Sequence, residues 1–295
     1  MLGQHVLKNL ELNEHEVFSP PRNDLDLTDS SATLRYLEEI KPDAIIHCAA
    51  VVGGIQANIH GGGSFLTENL KIDHSIIFSA KKCNVRNFIY LGSSCMYPAN
   101  RMDPLKIEDI LSGALEPTNA SYALAKITGA KAVEAFDSDP GLNWKVFIAS
   151  NLYGPHDHFD PERSHLLAAI IMKVSNAIET NASEIHMWGD GEVKREFTYA
   201  SDIASWMVQS LPNLAKFPSL LNVGCGVDHT VKEFYEIVMD ALGFKGKIVA
   251  DPTKPNGNLR KLMDSSVARS LGWDPETSLE QGILKTHKWW VESKA

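Results

Sequence analysis

Apolar and polar positions follow two rhythms along the first two thirds of the chain. Leu2 to Leu10 recurs at helical spacing. So do Leu34, Leu37 and Ile40, with Asp29 placed to cap the helix that they predict. The same spacing predicts helices over about Phe65 to Ala80, Tyr122 to Phe136 and His165 to Ile178. Short apolar runs separate them. Glu16-Val17-Phe18 is ended by Pro20-Pro21, Ala44 to Cys48 is opened by Pro42-Asp43, and Phe88 to Leu91 is broken by Gly92-Ser93-Ser94. Lys145 to Ala149 is a fourth run. Continuous apolar runs suit parallel strands covered on both faces. Strand and helix in alternation predict an α/β fold built on a doubly wound, Rossmann-like parallel sheet. Gly61-Gly62-Gly63 reads as a loop, because no strand leads directly into it.

The rhythm loosens after Asn151, where Gly, Pro, His and Asp crowd the stretch 153–163. A strand over Ile185 to Trp188 and several further helices predict a smaller, mostly helical substrate lobe. The expected division is 1–152 and 153–295, with some later segments returning to the first part. A chain of 295 residues, 44% hydrophobic and 22% charged, is that of a folded two-lobed protein. Its 28 Lys+Arg against 37 Asp+Glu give a formal net charge of -9, so nucleic acid is not the default partner. No apolar run is long enough to span a bilayer, and Met1-Leu2-Gly3-Gln4-His5 does not open a signal peptide. Cys48, Cys83, Cys95 and Cys225 form no CxxC pair, which reads as reduced thiols in a cytoplasmic protein. His156, Asp157, His158, Asp160 and His165 fit no standard zinc spacing, and no metal is expected.

Ser121-Tyr122-Ala123-Leu124-Ala125-Lys126 puts a Tyr and a Lys four apart, on one face of a helix. A free phenol ionises near about pH 10, and a nearby ammonium brings it toward neutral. A hydroxyl at a neighbouring strand end can hold a carbonyl oxygen between itself and the Tyr. Ser93 and Ser94 stand at such an end, where open α/β sheets bind ligands. Tyr-x-x-x-Lys alone is common on solvated helix faces. Joined to a serine-rich strand end, it points to carbonyl chemistry.

Further motifs extend this pattern. They include His47-Cys48-Ala49-Ala50 with Val52-Gly53-Gly54, Leu91-Gly92-Ser93-Ser94-Cys95-Met96-Tyr97-Pro98 and Leu115-Glu116-Pro117-Thr118-Asn119. Asn151-Leu152-Tyr153-Gly154-Pro155-His156-Asp157, Ser164-His165, Arg195-Glu196-Phe197, Asn222-Val223-Gly224 and Leu271-Gly272-Trp273 follow. With Tyr122 and Lys126 they resemble the extended short-chain dehydrogenase/reductases, and within them the GDP-L-fucose synthase branch. Sugar-nucleotide 4,6-dehydratases of this scaffold carry an acidic pair where this chain has Cys95 and Met96. A thioether cannot transfer protons, so the dehydratase reading is disfavoured.

The resemblance implies an NADP(H)-dependent enzyme that epimerises GDP-4-keto-6-deoxy-D-mannose at C3 and C5 and then reduces C4, yielding GDP-L-fucose. GDP-colitose synthases share the scaffold, and a non-catalytic sugar-nucleotide-binding protein is a further alternative. By resemblance, Tyr122, Lys126 and Ser93 serve the reduction, while Cys95 and His165 are the acid/base pair of epimerisation. Free thiols and imidazoles ionise near about 8.5 and 6.5, on either side of neutral pH. The cofactor is expected at Gly3, Arg22, Asp26, Leu27, Ala49, Ala50, Leu91, Gly92, Lys126, Asn151, Leu152 and His165. Arg22 matches the residue that approaches the 2′-phosphate of NADP. Arg22, as an Arg in a turn, also suits a merely solvated residue. Lys173, Trp188, Arg195 and Asn256 match the nucleotide-sugar site, although Trp188 also suits a lobe core. A homodimer through the helices at 65–80 and 122–136 is implied as well.

Three departures stand out. Met1-Leu2-Gly3 looks like the last part of a Gly-x-x-Gly-x-x-Gly turn with Gly3 as its third glycine, so a truncated start lacking the first strand is expected. Ala149-Ser150 and Ala200-Ser201-Asp202 replace the branch's usual Pro-Thr and Val-Asp-Asp. Asn256 stands where Asp is typical.

Overall fold

The apolar runs become strands because each can be covered twice. In the computed structural model, which describes residues 1–160, 164–253 and 258–294, helix and strand alternate from the start. The elements of the first half are α1 (Leu2–Leu12), α2 (Ser30–Ile40), β1 (Ala44–His47), α3 (Ile55–Lys82), β2 (Asn87–Ser93), α4 (Ala120–Asp137) and β3 (Asn143–Ala149). The second half holds β4 (Asn151–Tyr153), α5 (Leu166–Glu179), β5 (Glu184–Trp188), β6 (Lys194–Tyr199), α6 (Ala200–Ser210) and β7 (Leu220–Val223). It closes with β8 (Asp228–Thr230), α7 (Val231–Leu242), β9 (Lys247–Asp251), β10 (Arg260–Lys261), α8 (Ser266–Ser270) and α9 (Leu279–Glu292).

The main sheet is parallel, in the order β1-β2-β3-β7. Successive side chains of a strand point to opposite faces. Phe88, Tyr90, Trp144, Val146 and Ile148 therefore enter one core, with Ile76, Ile77 and Val133 of α3 and α4. Ile89, Phe147 and Ala149 enter another, with Leu2 and Val6 of α1 and Ile203 and Met207 of α6. This double cover is the physical reason for the unbroken apolar runs. A third core lies in the second half, among Ile170, Ile171, Val174, Phe197, Phe234, Val238, Ile283 and Trp290.

Local signals set the helix ends. Asp29 accepts from the backbone N–H groups of Ser31 and Ala32 at 2.9 Å each and starts α2. Thr230 and Glu233 form a reciprocal capping box at α7, and Gly243 ends that helix in the left-handed region at φ 79°.

Two expectations are corrected. Glu16-Val17-Phe18 forms no strand, and Phe18 is exposed. A strand exists only as a pair, and no described strand pairs with this run. Gly61-Gly62-Gly63 lies inside α3, which starts ten residues before Phe65, with a break in helical geometry at Gly61. Close packing explains Gly61 and Gly62, whereas Gly63 has open space beside it. A Cβ on Gly61 would stand 3.2 Å from the Phe65 ring, and one on Gly62 would stand 3.2 Å from Ser121 Oγ.

The second half forms the expected strand at 185–188 as β5, which pairs with β9, and carries further sheet besides. β6 lies between β10 and β4 and pairs antiparallel with β8. No described helix is long and apolar enough to cross a membrane.

Candidate active site

β2 ends at Ser93, whose Oγ accepts from Cys95 N at 3.3 Å and starts one tight turn over Ser94–Met96. That turn carries Cys95 past the carboxyl end of the sheet. α4 starts beside it and places Tyr122 in its first turn. The Tyr122 phenol lies in the neighbourhood of Ser93, Cys95 and Asp73. Burial, then the neighbouring Cys95 and Asp73, pushes it above the ordinary range, and the Ser93 side chain only partly opposes this. A phenol held this way keeps its proton at neutral pH and can donate it.

Two groups from outside this corner reach the Cys95 sulfur. Asn119 Nδ2 donates to Sγ at 3.4 Å, and Lys261 Nζ donates at 3.7 Å. The Arg195 guanidinium also feels Cys95 and Glu116. Ser93, Cys95, Tyr122 and Arg195 are thus brought into one neighbourhood from β2, α4 and β6.

Lys126, four residues on from Tyr122, is buried among charged and aromatic groups. It is 2% exposed, and its Nζ stands 3.8 Å from the centroid of the Tyr90 ring and 4.0 Å from Asp73 Oδ1. Burial pulls its pKa down, while Asp73 and then Cys48 hold it up. The ammonium turns inward because the nearest carboxylate lies beneath the helix, and Tyr122 responds chiefly to burial.

His165 is the residue before α5, and its Nδ1 is 3.6 Å from Asp157 Oδ1. Asp157 Oδ2 and His165 Nδ1 are both buried and neither has a hydrogen-bond partner. The structure therefore links His165 to Asp157, and gives no contact that joins it to Cys95.

Of the residues expected around the cofactor, Ala49, Ala50, Leu91 and Gly92 lie at or near the carboxyl ends of β1 and β2. Ala49 is exposed after β1, Ala50 is half-buried, and Leu91 packs beside the α1 core. Gly92 has no room for a side chain, since a Cβ would stand 3.0 Å from Ile148 Cγ1. Asn151 Nδ2 donates to Glu196 O at 2.9 Å and ties β4 to β6, while Leu152 joins the α1–α6 core. Gly3 is exposed in the first turn of α1, which has no side-chain cap, and a Cβ there would meet only Cys48 at 3.8 Å. Arg22 is 67% exposed and lies 3.7 Å from Asp26 and 3.9 Å from Glu68. Asp26 is itself turned toward Thr28 N, 2.9 Å away, and Leu27 packs against the α3–α4 core.

The sugar-nucleotide residues gather in part. Lys173 Nζ donates to His186 O at 3.0 Å and to Tyr235 Oη at 3.2 Å, and stands 5.6 Å from the Trp188 ring centroid. Trp188 is 48% exposed, which rules out the lobe-core reading. Arg195 donates to Lys194 O at 2.8 Å and Asn258 O at 2.6 Å. Among the described residues, no carboxylate forms an ion pair with Lys173 or Arg195. Asn256 lies outside the described residues.

Sequence reasoning missed Lys261 and Asp73 as parts of this region, and quoted Asn119 and Asp157 without assigning them a place in it. Asn119 was open to discovery, standing three residues before Tyr122. Lys261 was not, since 166 residues separate it from Cys95.

Comparison with known proteins agrees with this geometry. Residues 1–224 match the model of the NAD dependent epimerase/dehydratase family. The chain is 42% identical over 295 residues to the GDP-L-colitose synthase of Yersinia pseudotuberculosis, covering 100% of this chain and 96% of that one. It is also 42% identical over 291 residues to the GDP-L-fucose synthase of Azorhizobium caulinodans, covering 99% and 93%. Among solved structures, the GDP-mannoheptose C4 reductase of Campylobacter jejuni with NADP bound superposes with a TM-score of 0.89 at 29% identity, covering 98% and 95%. The match over residues 1–224, about three quarters of the length, places the chain in the NAD dependent epimerase/dehydratase family.

Proposed function

We propose that the protein is an NADPH-dependent epimerase/reductase that converts GDP-4-keto-6-deoxy-D-mannose to GDP-L-fucose. The observation that carries this reading is the meeting of Ser93, Cys95 and Tyr122 at the end of β2, with Asn119 and Lys261 on the sulfur. Tyr122 Oη and Ser93 Oγ hold the C4 ketone oxygen, and Tyr122 gives that oxygen its proton. Cys95 Sγ and the His165 ring exchange protons at C3 and C5, beside a ketone that stabilises the enol formed. The Lys261 ammonium offsets negative charge on the sulfur when the thiol has given up its proton.

The residues present fit a dinucleotide phosphate. The first turn of α1 is uncapped at exposed Gly3, and exposed Arg22 has room for a phosphate. NADPH, when bound, supplies the electron pair that reduces C4. Gly3 and Arg22 would hold its phosphates, Asp26 and Leu27 its adenosine, and Ala49, Ala50, Leu91 and Gly92 its path along the strand ends. Lys126, Asn151, Leu152 and His165 would surround its nicotinamide half. Lys173 and Arg195 suit the diphosphate of the sugar nucleotide, because each bonds only neutral acceptors, and half-exposed Trp188 offers a ring face beside Lys173. Asn256 belongs to the same proposed site. A homodimer would use α3 and α4, which expose Phe78 and Leu124.

Equal identity to a synthase of GDP-L-colitose favours a second reading with that product. The test is NADPH oxidation with GDP-4-keto-6-deoxy-D-mannose and identification of the sugar formed. GDP-L-fucose supports the first reading. Turnover only with the keto-sugar precursor of GDP-L-colitose supports the second, and silence with both by a folded protein overturns the reductase reading.

A further inference from the structure

Beneath Tyr122 lies a polar cluster that the proposed chemistry leaves unexplained. Asp73 of α3, His47 of β1, Tyr90 of β2 and Lys126 of α4 are each at most 3% exposed. Four separate elements have brought them together. Asp73 Oδ1 is 3.0 Å from His47 Nε2, and Oδ2 accepts from Tyr90 Oη at 2.5 Å. A carboxylate only accepts, so His47 carries its proton on Nε2 in this bond. Lys126 Nζ completes the cluster, 4.0 Å from Asp73 Oδ1 and over the Tyr90 ring. Gly129 makes room for it one turn along α4. A Cβ there would stand 2.7 Å from Tyr90 Cζ and 2.8 Å from Asp73 Oδ2.

A buried ammonium needs a counter-charge or it sheds its proton. The groups facing Lys126 are Asp73 from α3, His47 and Cys48 at the end of β1, and Tyr90 from β2. Burial pushes the Cys48 thiol up to about 12 and, together with Asp73, holds the Tyr90 phenol far above its usual range. Both are therefore neutral at physiological pH. Asp73 is the anion among them. Burial would raise its carboxyl, but Lys126, His47 and Tyr90 outweigh that and hold it below the usual value.

We propose that Asp73 is a positioning residue for the Tyr122–Lys126 pair, its carboxylate holding Lys126 as an ammonium and fixing where Nζ stands. The inference rests on the reductase reading for its consequence, though not for its geometry. α3 and β1, which carry no reacting group themselves, thereby set the charge at the chemical end of α4.

The experiment titrates Lys126 by NMR of lysine-labelled protein, its signal assigned by loss in Lys126→Arg. It also records NADPH affinity by fluorescence and kcat for reduction from pH 6 to 9. In the wild type, Lys126 should remain an ammonium throughout the neutral range. In Asp73→Asn, its titration should fall by about one pH unit or more, as expected when a buried partner charge is removed. The alkaline limb of kcat should move toward neutral with it, lowering kcat at pH 8.5 about tenfold while the KM of the GDP-sugar changes less than about threefold. Asp73→Glu keeps the charge and should recover most of both. The assignment is overturned if Lys126 titrates alike in Asp73→Asn and wild type, or if Asp73→Glu is as impaired as Asp73→Asn. Should Asp73→Asn fail to fold, the wild-type titration still decides, because a neutral Lys126 at pH 7.5 overturns the proposal. A wild type that neither binds NADPH nor reduces the ketone defeats the reductase reading, while the Lys126 titration still judges Asp73.

Discussion

The molecule holds three of its cations, Lys126, Lys173 and Arg195, in two different ways. On the main sheet, Lys126 is buried against a carboxylate, and that carboxylate is itself hydrogen-bonded by His47 and Tyr90. In the second half, Lys173 and Arg195 lean on carbonyl and hydroxyl oxygens, and no described carboxylate pairs with either. A buried charge with its partner built in is held in one place and one protonation state. A cation supported by neutral acceptors keeps its full charge for an incoming anion. The first arrangement suits the reacting end of a substrate, and the second suits its diphosphate.

The largest expected effect tests the reacting end. Tyr122→Phe removes the proton that the ketone oxygen receives, and turnover should fall by about 10³-fold, as for loss of a general acid. Near-normal NADPH oxidation by that variant would sink the assignment. The binding end comes next. Arg195→Met or Lys173→Met should each raise the KM of the GDP-sugar by about tenfold to a hundredfold, matching roughly 1.5–3 kcal/mol for a hydrogen bond to a charged group. If kcat fell instead with KM unchanged, these cations would belong to the chemistry and the contrast would collapse.

Packing around the buried pair predicts a third effect. Gly129→Ala puts a methyl between Tyr90 and Asp73 and should cost about 1–3 kcal/mol of stability through overpacking, read from urea unfolding. An unmoved midpoint would show that the cluster is loosely held. The smallest effect concerns a buried carboxyl with no cation beside it. Glu196 is 0% exposed and accepts from Gly226 N at 2.6 Å and Met263 N at 2.8 Å. Burial pushes it up to about 7 from its ordinary 4.5; the backbone bonds pull the other way and Asp228 adds to the rise. Because its folded pKa is the higher one, its contribution to stability is complete below the unfolded pKa and is lost as pH rises through about 7. Between pH 5 and 7.5 the wild type should lose on the order of 1–2 kcal/mol relative to Glu196→Gln. Parallel pH profiles for the two proteins would contradict this.

Much of the sheet was legible because its signals are local. The runs at 44–48, 88–91 and 145–149 match β1, β2 and β3, the first overrunning its strand by one residue, and Asp29 caps α2 as its position suggested. Glu16-Val17-Phe18 misled because β-propensity without a neighbour makes no strand. Gly61-Gly62-Gly63 misled because glycine marks either a turn or a close approach, and only the positions of Phe65 and Ser121 show which. Of the candidate site, the Tyr122–Lys126 spacing and the serines at the strand end were legible from local pattern, while Cys95 entered through the family resemblance.

What the chain's order of residues determined by itself was the alternation of strand and helix, the serine-bearing strand end and the Tyr–Lys face of α4. Each depends on residues within a few positions of one another, where helix and strand periods are fixed by backbone geometry. What the tertiary structure alone decided was the company those residues keep. Lys261 reaches Cys95 across 166 residues, Asp73 and His47 arrive under α4 from α3 and β1, and Lys126 stands beside Asp73 and over the Tyr90 ring. The physical reason is that charge and burial act through space, and distance through space becomes defined only when the elements have packed.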